Sequence, residues 1–202
     1  MTTPTEFHLD VLREMVNTGV GRAAASLNQM LESHIELDVP SIAMVNPQTL
    51  LEGPNGLGPS ALSCVKLGFH GSFQGTAALV FPPQSAAKLV AALTGEDIDG
   101  PSLNAVMAGT LNEVGNILIN GVIGTMANLL ARPFDYSLPN YLEGHLRELL
   151  GLEENWQDVR ILVVRTRFQV RERQIEGNIF IIFDLVSFDA LLNAIDKFDT
   201  DG

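Results

Sequence analysis

Apolar residues recur at three- and four-residue steps over the first thirty positions. Leu9, Leu12, Val16, Val20, Ala23, Leu27, Met30 and Leu31 predict an amphipathic helix running to about Ser33. Its other face carries Asp10, Glu14 and Asn17. The run Thr3-Pro4-Thr5-Glu6 predicts the helix start, with Thr3 as N-cap, Pro4 at the first helical position and Glu6 returning to the cap. The period then changes from helical to alternating. Ile35, Leu37 and Val39 alternate with polar residues up to Pro40 and predict a half-buried strand continuing through Ile42, Met44 and Val45. Asn46 to Ser60, rich in Gly and Pro, reads as a loop. Two strands, about Ala61 to Phe69 and Gly75 to Phe81, follow as an antiparallel hairpin, and Gln84 to Leu93 as a short helix stopped by Gly95. Glu96 to Gly100 is an acidic turn, and Pro101 opens a second long helix. Its apolar stretch Ile117 to Leu130 is about fourteen residues, short of the roughly twenty needed to span a membrane, and is expected to be a core helix.

The second half repeats the first. A shift of 99 residues puts Glu14 on Glu113, Asn17 on Asn116, and the Ile35 to Pro40 pattern on Phe134, Tyr136, Leu138 and Pro139. Further on the shift is 102, with Gly75 to Phe81 on Gly177 to Phe183. The three-residue insertion falls within Tyr141 to Asp158, a segment that holds Trp156 and a helical pattern from Tyr141 to Leu150. Each half is small for an independent core. The expectation is therefore one α/β (α+β) domain spanning residues 1–202, built of two repeats at about 4–98 and 101–198. Its fold would be a pseudo-two-fold duplicated sandwich, a mostly antiparallel sheet on one side and two long helices with exposed polar stripes on the other.

Composition narrows the function. The chain has 202 residues, 46% hydrophobic and 18% charged, with a net charge of −12. That acidity argues against nucleic acid or an anionic membrane as main partner. The lone Cys64 excludes an internal disulfide and a cysteine-rich zinc site. No signal peptide is evident between Met1 and Asp10, so a cytoplasmic location is expected.

Most repeated positions are apolar, as core positions would be. The repeated polar triple of Glu, Asn three residues on and Pro twenty-three later is more informative. On a helix, Asp10, Glu14 and Asn17 form one polar stripe. Such a stripe is commonly only a solvated face, yet Asn is a mediocre helix former and stands mid-helix in both halves. Its carboxamide offers one acceptor and two donors, enough to hold a water but not to deprotonate it. That suffices for hydrolysing a phosphoryl group that is already activated.

The pattern Asp10-x3-Glu14-x2-Asn17-x22-Pro40, with Gly19 and Gly21 just after the Asn, resembles the signature of the CheC, CheX and FliY family of chemotaxis phosphatases. Glu113-x2-Asn116-x22-Pro139 is a second copy, and two copies in a chain of about 200 residues resemble the family's CheC-type members. The resemblance implies a phosphatase acting on the aspartyl phosphate of a CheY-type response regulator. Asn17 or Asn116 would position the attacking water, and Glu14 or Glu113 would ion-pair with the receiver's lysine. It further implies that Mg2+ belongs to the receiver, that the chain needs no cofactor of its own, and that the receptor deamidase CheD is a possible second partner, with about Ser187 to Phe198 as candidate surface. Asp10, Pro40 and Pro139 would support the motif. In the second copy Gly109 replaces the acidic residue, and Thr110 is turned about 100° away. The alternative is a non-catalytic receiver-binding or flagellar-switch adaptor, although FliY-like switch proteins carry an extra domain that this chain does not leave room for.

Other candidates carry less. His145 and Glu148 could be two metal ligands but have no third. His8, His34 and His70 show no nucleophile pattern with Cys64 or a serine. Gly53 to Gly58 precedes a strand rather than a helix and so lacks the context of a phosphate loop. Asp196, Asp199 and Asp201 are too few for a calcium loop.

Overall fold

The computed structural model describes residues 3–31, 35–52, 61–95, 102–152, 159–170 and 173–200. In chain order they form α1 (Glu6–Leu31), β1 (Ile35–Val45), α2 (Pro47–Glu52), β2 (Leu62–Gly71), β3 (Gly75–Phe81) and α3 (Pro83–Thr94). The second half forms α4 (Ser102–Leu129), β4 (Phe134–Tyr136), β5 (Asn140–Gly144), α5 (Leu146–Leu150), β6 (Val159–Val170), β7 (Arg173–Asp184) and α6 (Leu185–Thr200).

The strands make one antiparallel sheet in the order β1-β6-β7-β3-β2-β4, with β5 also on β2. At its centre β3 pairs with β7, Gly75 opposite Phe183 and Val80 opposite Asn178. Outside that seam the halves are interleaved. β1 of the first half lies on β6 of the second, and β4 and β5 of the second lie on β2 of the first.

Alternation sends the side chains of each strand to two faces. Leu67, Leu79, Val164 and Phe183 face the large core beneath α1, α3, α4 and α6, together with Leu12, Val16, Leu111, Leu118 and Leu191. Each such fully buried side chain is worth roughly 1.5–3 kcal/mol relative to leaving it in water. The opposite face buries Leu62, Cys64, Val80 and Phe180 beneath Leu50 of α2 and Leu146, Leu149 and Leu150 of α5. The sheet is therefore covered on both faces, where the sequence predicts helices on one. The thin second layer is made of two very short helices.

Four local differences from the sequence reading have physical causes. Thr5, not Thr3, caps α1: its Oγ1 accepts the His8 amide at 3.3 Å, and His8 Nδ1 accepts the Thr5 amide at 3.0 Å. An imidazole nitrogen here does what a Glu carboxylate does in the usual capping box. The expected loop after Asn46 opens with α2, begun by Asn46 Oδ1 accepting the Thr49 amide at 2.8 Å. Tyr141 to Leu150 is not one helix but most of β5 followed by α5, because hydrogen bonds from β2 along Leu62 to Lys66 draw Asn140 to Gly144 into the sheet. The expected strand from Phe134 to Pro139 is split into β4 and β5 around Leu138 and Pro139, since proline has no amide to give the ladder. Gly53 to Ser60, Glu96 to Pro101, His34, Trp156 and Asp201 lie outside the described residues. Among the described residues no helix is long and apolar enough to cross a membrane; Leu118, Ile119, Val122 and Ile123 of the apolar stretch lie in the core.

Candidate functional site

The apolar stripe of α1 fixes which way its polar stripe looks. Leu12, Met15, Val16 and Val20 are buried, so Asp10, Arg13, Glu14, Asn17 and Gly21 are exposed on the outer side. Asp10 ion-pairs with Arg13 one turn away, which occupies that carboxylate within its own helix. Glu14 and Asn17, three residues apart, stand side by side facing solvent. No hydrogen bond engages the Asn17 carboxamide among the described residues.

The second copy on α4 is placed differently. Glu113 is exposed, but Asn116 is half-buried. Its Oδ1 accepts a 2.7 Å hydrogen bond from Asn120 Nδ2, one turn further on. Gly109, in the place of Asp10, is exposed, and a Cβ built there meets nothing within 4 Å. One turn before Asn116, the Asn112 Oδ1 is buried without a partner among the described residues.

The two motif helices are brought together by small residues. A Cβ on Gly19 would lie 2.6 Å from Val122 Cα, and one on Gly121 would lie 2.8 Å from Ala23 Cβ. Backbone therefore packs on backbone just after Asn17, and only glycine allows that approach. Pro40 falls within β1 where the register with β6 shifts between Asp38 and Ser41. Pro139 occupies the matched gap between β4 and β5. Pro40 thus sits at a register shift within β1, and Pro139 in a break between two strands.

The side candidates resolve into structure. The Glu148 carboxylate accepts the His145 amide at 3.3 Å, a cap on α5 rather than a ligand pair. His8 is buried, and its Nε2 meets Asp196 Oδ1 of α6 at 2.9 Å. Because Nδ1 accepts the Thr5 amide, the neutral ring carries its proton on Nε2 and donates it to Asp196. Cys64 is buried in the smaller core, and that burial pushes its thiol up to about 12. A cavity of about 420 Å³, lined by His70, Gln74, Thr76 and Asp184 among others, holds none of the motif residues. No cluster of three metal-ligating side chains occurs among the described residues. Sequence reasoning passed over Asn120, although a signal was there: the 99-residue shift sets it against Gly21, so the halves differ one turn after the motif asparagine.

Comparison with known proteins puts these residues in context. Residues 63–155, which include Glu113, Asn116 and Pro139, match the family model described as chemotaxis phosphatase CheX. The CheY-P phosphatase CheC of Bacillus subtilis is 25% identical over 203 residues, covering 94% of each chain. The crystal structure of Thermotoga maritima FliY aligns with a TM-score of 0.73 at 15% identity, over 98% of this chain and 100% of that one. A CheX–CheY–BeF3–Mg2+ complex from Borrelia burgdorferi aligns with a TM-score of 0.51 at 21% identity, over 82% and 96%. At these identities the solved structures speak for the fold.

Proposed function

Since the chain belongs to the CheC/CheX/FliY family of chemotaxis phosphatases, we propose that it removes the phosphoryl group from the active-site aspartate of a CheY-type response regulator. The observation that carries this reading is the exposed pair Glu14 and Asn17, one turn apart on α1, with the Asn17 carboxamide engaged by no described residue. A polar pair that no described residue of its own protein engages is available to another.

An aspartyl phosphate is an activated acyl phosphate. Its hydrolysis needs a water held in line with the P–O bond more than it needs a strong base. Asn17, and Asn116 in the second copy, would hold that water through the carboxamide. Glu14 and Glu113 would ion-pair with the lysine of the receiver active site and so fix the register of the helix against it. The Mg2+ that offsets phosphoryl charge belongs to the receiver and arrives with the substrate. Water leaves the interface when the exposed helix face is covered, which strengthens the remaining electrostatic contacts. Such a reaction places the chain in the cytoplasm beside its receiver. The receptor deamidase CheD is a further candidate partner on this reading, with α6, about Ser187 to Phe198, as the candidate surface.

The test is the decay of labelled phosphoryl-receiver in Mg2+ with catalytic amounts of the protein. Decay faster than the spontaneous rate, with many turnovers per chain, supports the reading. Decay at the spontaneous rate despite binding of the phosphorylated receiver replaces it with the adaptor reading.

A further inference from the structure

The two copies of the motif differ in what surrounds the asparagine, and one of the differences lies one turn after it. Asn17 has Gly21 one turn on, with no side chain to reach it. Asn116 has Asn120 there, and Asn120 Nδ2 donates to Asn116 Oδ1 at 2.7 Å. The other end of the Asn120 amide, Oδ1, is buried with no partner among the described residues. Turning the Asn120 amide over would set two carbonyl oxygens 2.7 Å apart. Turning both amides together would leave an NH2 with two protons at that enclosed end in place of a single oxygen, which is worse. The arrangement is therefore directional, with the Asn120 amide aimed at Asn116.

We propose that Asn120 is a positioning residue for the second site: by holding Asn116 Oδ1 it turns the Asn116 NH2 outward, so that this site meets the receiver as a fixed donor. The inference rests on the phosphatase reading above. Asn17, with no such neighbour, presents either end of its carboxamide and must be ordered when the receiver binds. Pre-organisation of this kind removes a rotamer cost from the reacting complex. It acts on turnover once the receiver is bound and leaves the docking contacts of Glu113 unchanged.

The experiment uses the full chain with Asn17→Ala, so that only the second site remains, and follows phosphoryl-receiver decay over a range of receiver concentrations. Adding Asn120→Ala, which keeps the helix and removes the donor, is expected to lower kcat about 5- to 10-fold with KM within 2-fold. Asn112→Ala, which alters the buried amide on the other side of Asn116, is expected to change neither. An unchanged or raised kcat in Asn120→Ala overturns the proposal, and so does a KM rise with kcat intact. The bond itself is read without activity. One Asn120 side-chain amide proton should resonate downfield and exchange slowly in the NMR spectrum, and lose both features in Asn116→Ala. An ordinary Asn120 amide overturns the proposal whatever the decay assay gives. If Asn17→Ala/Asn116→Ala decays the receiver as fast as the unmodified chain, the phosphatase reading of these sites fails, and the positioning role falls with it even where the bond is seen.

Discussion

Asn17→Ala removes an exposed carboxamide that no described residue holds, and Ala is the better helix former. Its stability should stay level or rise by a few tenths of a kcal/mol, about 0.5 at most. Asn116→Ala behaves differently, because it strands the Asn120 NH2 that was bonded to it. A loss of about 1 kcal/mol is expected there, partly offset by helix propensity. Urea midpoints of the two variants check this, and equal midpoints would contradict the unequal surroundings of the two asparagines. Sequence alone predicts both side chains to be exposed, since the matching Glu-x2-Asn pattern carries no sign of neighbours one turn on. Cys64 gives a second residue-scale prediction. Its burial holds the thiol neutral up to about pH 12, whereas an unfolded thiol ionises from about 8.5. The folded chain therefore holds the extra proton above pH 8.5, so Cys64 leaves stability unchanged below that pH and lowers it as pH rises toward 12. Ellman's reagent at pH 8 should leave the native thiol untouched and react at once in guanidinium; ready reaction of the native chain would place Cys64 outside the core.

At the scale of elements, α4 carries a mid-helix glycine with nothing near its missing side chain. Gly109→Ala should therefore stabilise the chain by about 1 kcal/mol, read as a higher urea midpoint. A fall in midpoint would mean that Gly109 serves a contact its surroundings do not reveal. The long elements are legible in the sequence because their pattern is sustained. Eight apolar positions in register along α1 outweigh any single exception, and the alternation through Ile35, Leu37 and Val39 defines β1. Short elements are not legible by periodicity. α2 has six residues, and only its Asn46-Pro47 start could have marked it. β5 reads as Asn-Tyr-Leu-Glu-Gly, a sequence as compatible with a helix as with a strand, and pairing with β2 decides the matter. The cap of α1 is missed for a chemical reason: His8 stands where the rule looks for a carboxylate. Of the candidate site, the Glu and Asn pairs and the prolines are legible because they recur. Asn120 is visible only as a mismatch between the halves.

At the scale of the whole molecule, we propose that the chain is one domain of two repeats, about residues 4–98 and 101–198. The strand order supports this: β1 is bonded to β6 and β2 to β4 and β5, so each half completes the other's sheet. The crossing of α1 and α4 at Gly19 and Gly121 ties the two motif helices together as well. Neither half expressed alone should show a cooperative unfolding transition by circular dichroism, because the first would lose β4, β5, β6 and β7 as strand partners, the second β1, β2 and β3, and each half of its core. A cooperative transition in either half would contradict the single-domain reading. The central claim concerns both sites at once. The measurement that tests it most directly is the decay of radiolabelled phosphoryl-receiver in Mg2+, comparing the unmodified chain with Asn17→Ala, Asn116→Ala and the double variant. Acceleration is predicted for the unmodified chain, reduced in each single variant and lost on the order of 100-fold in the double. A double variant that remains folded and accelerates decay as well as the unmodified chain would contradict the account.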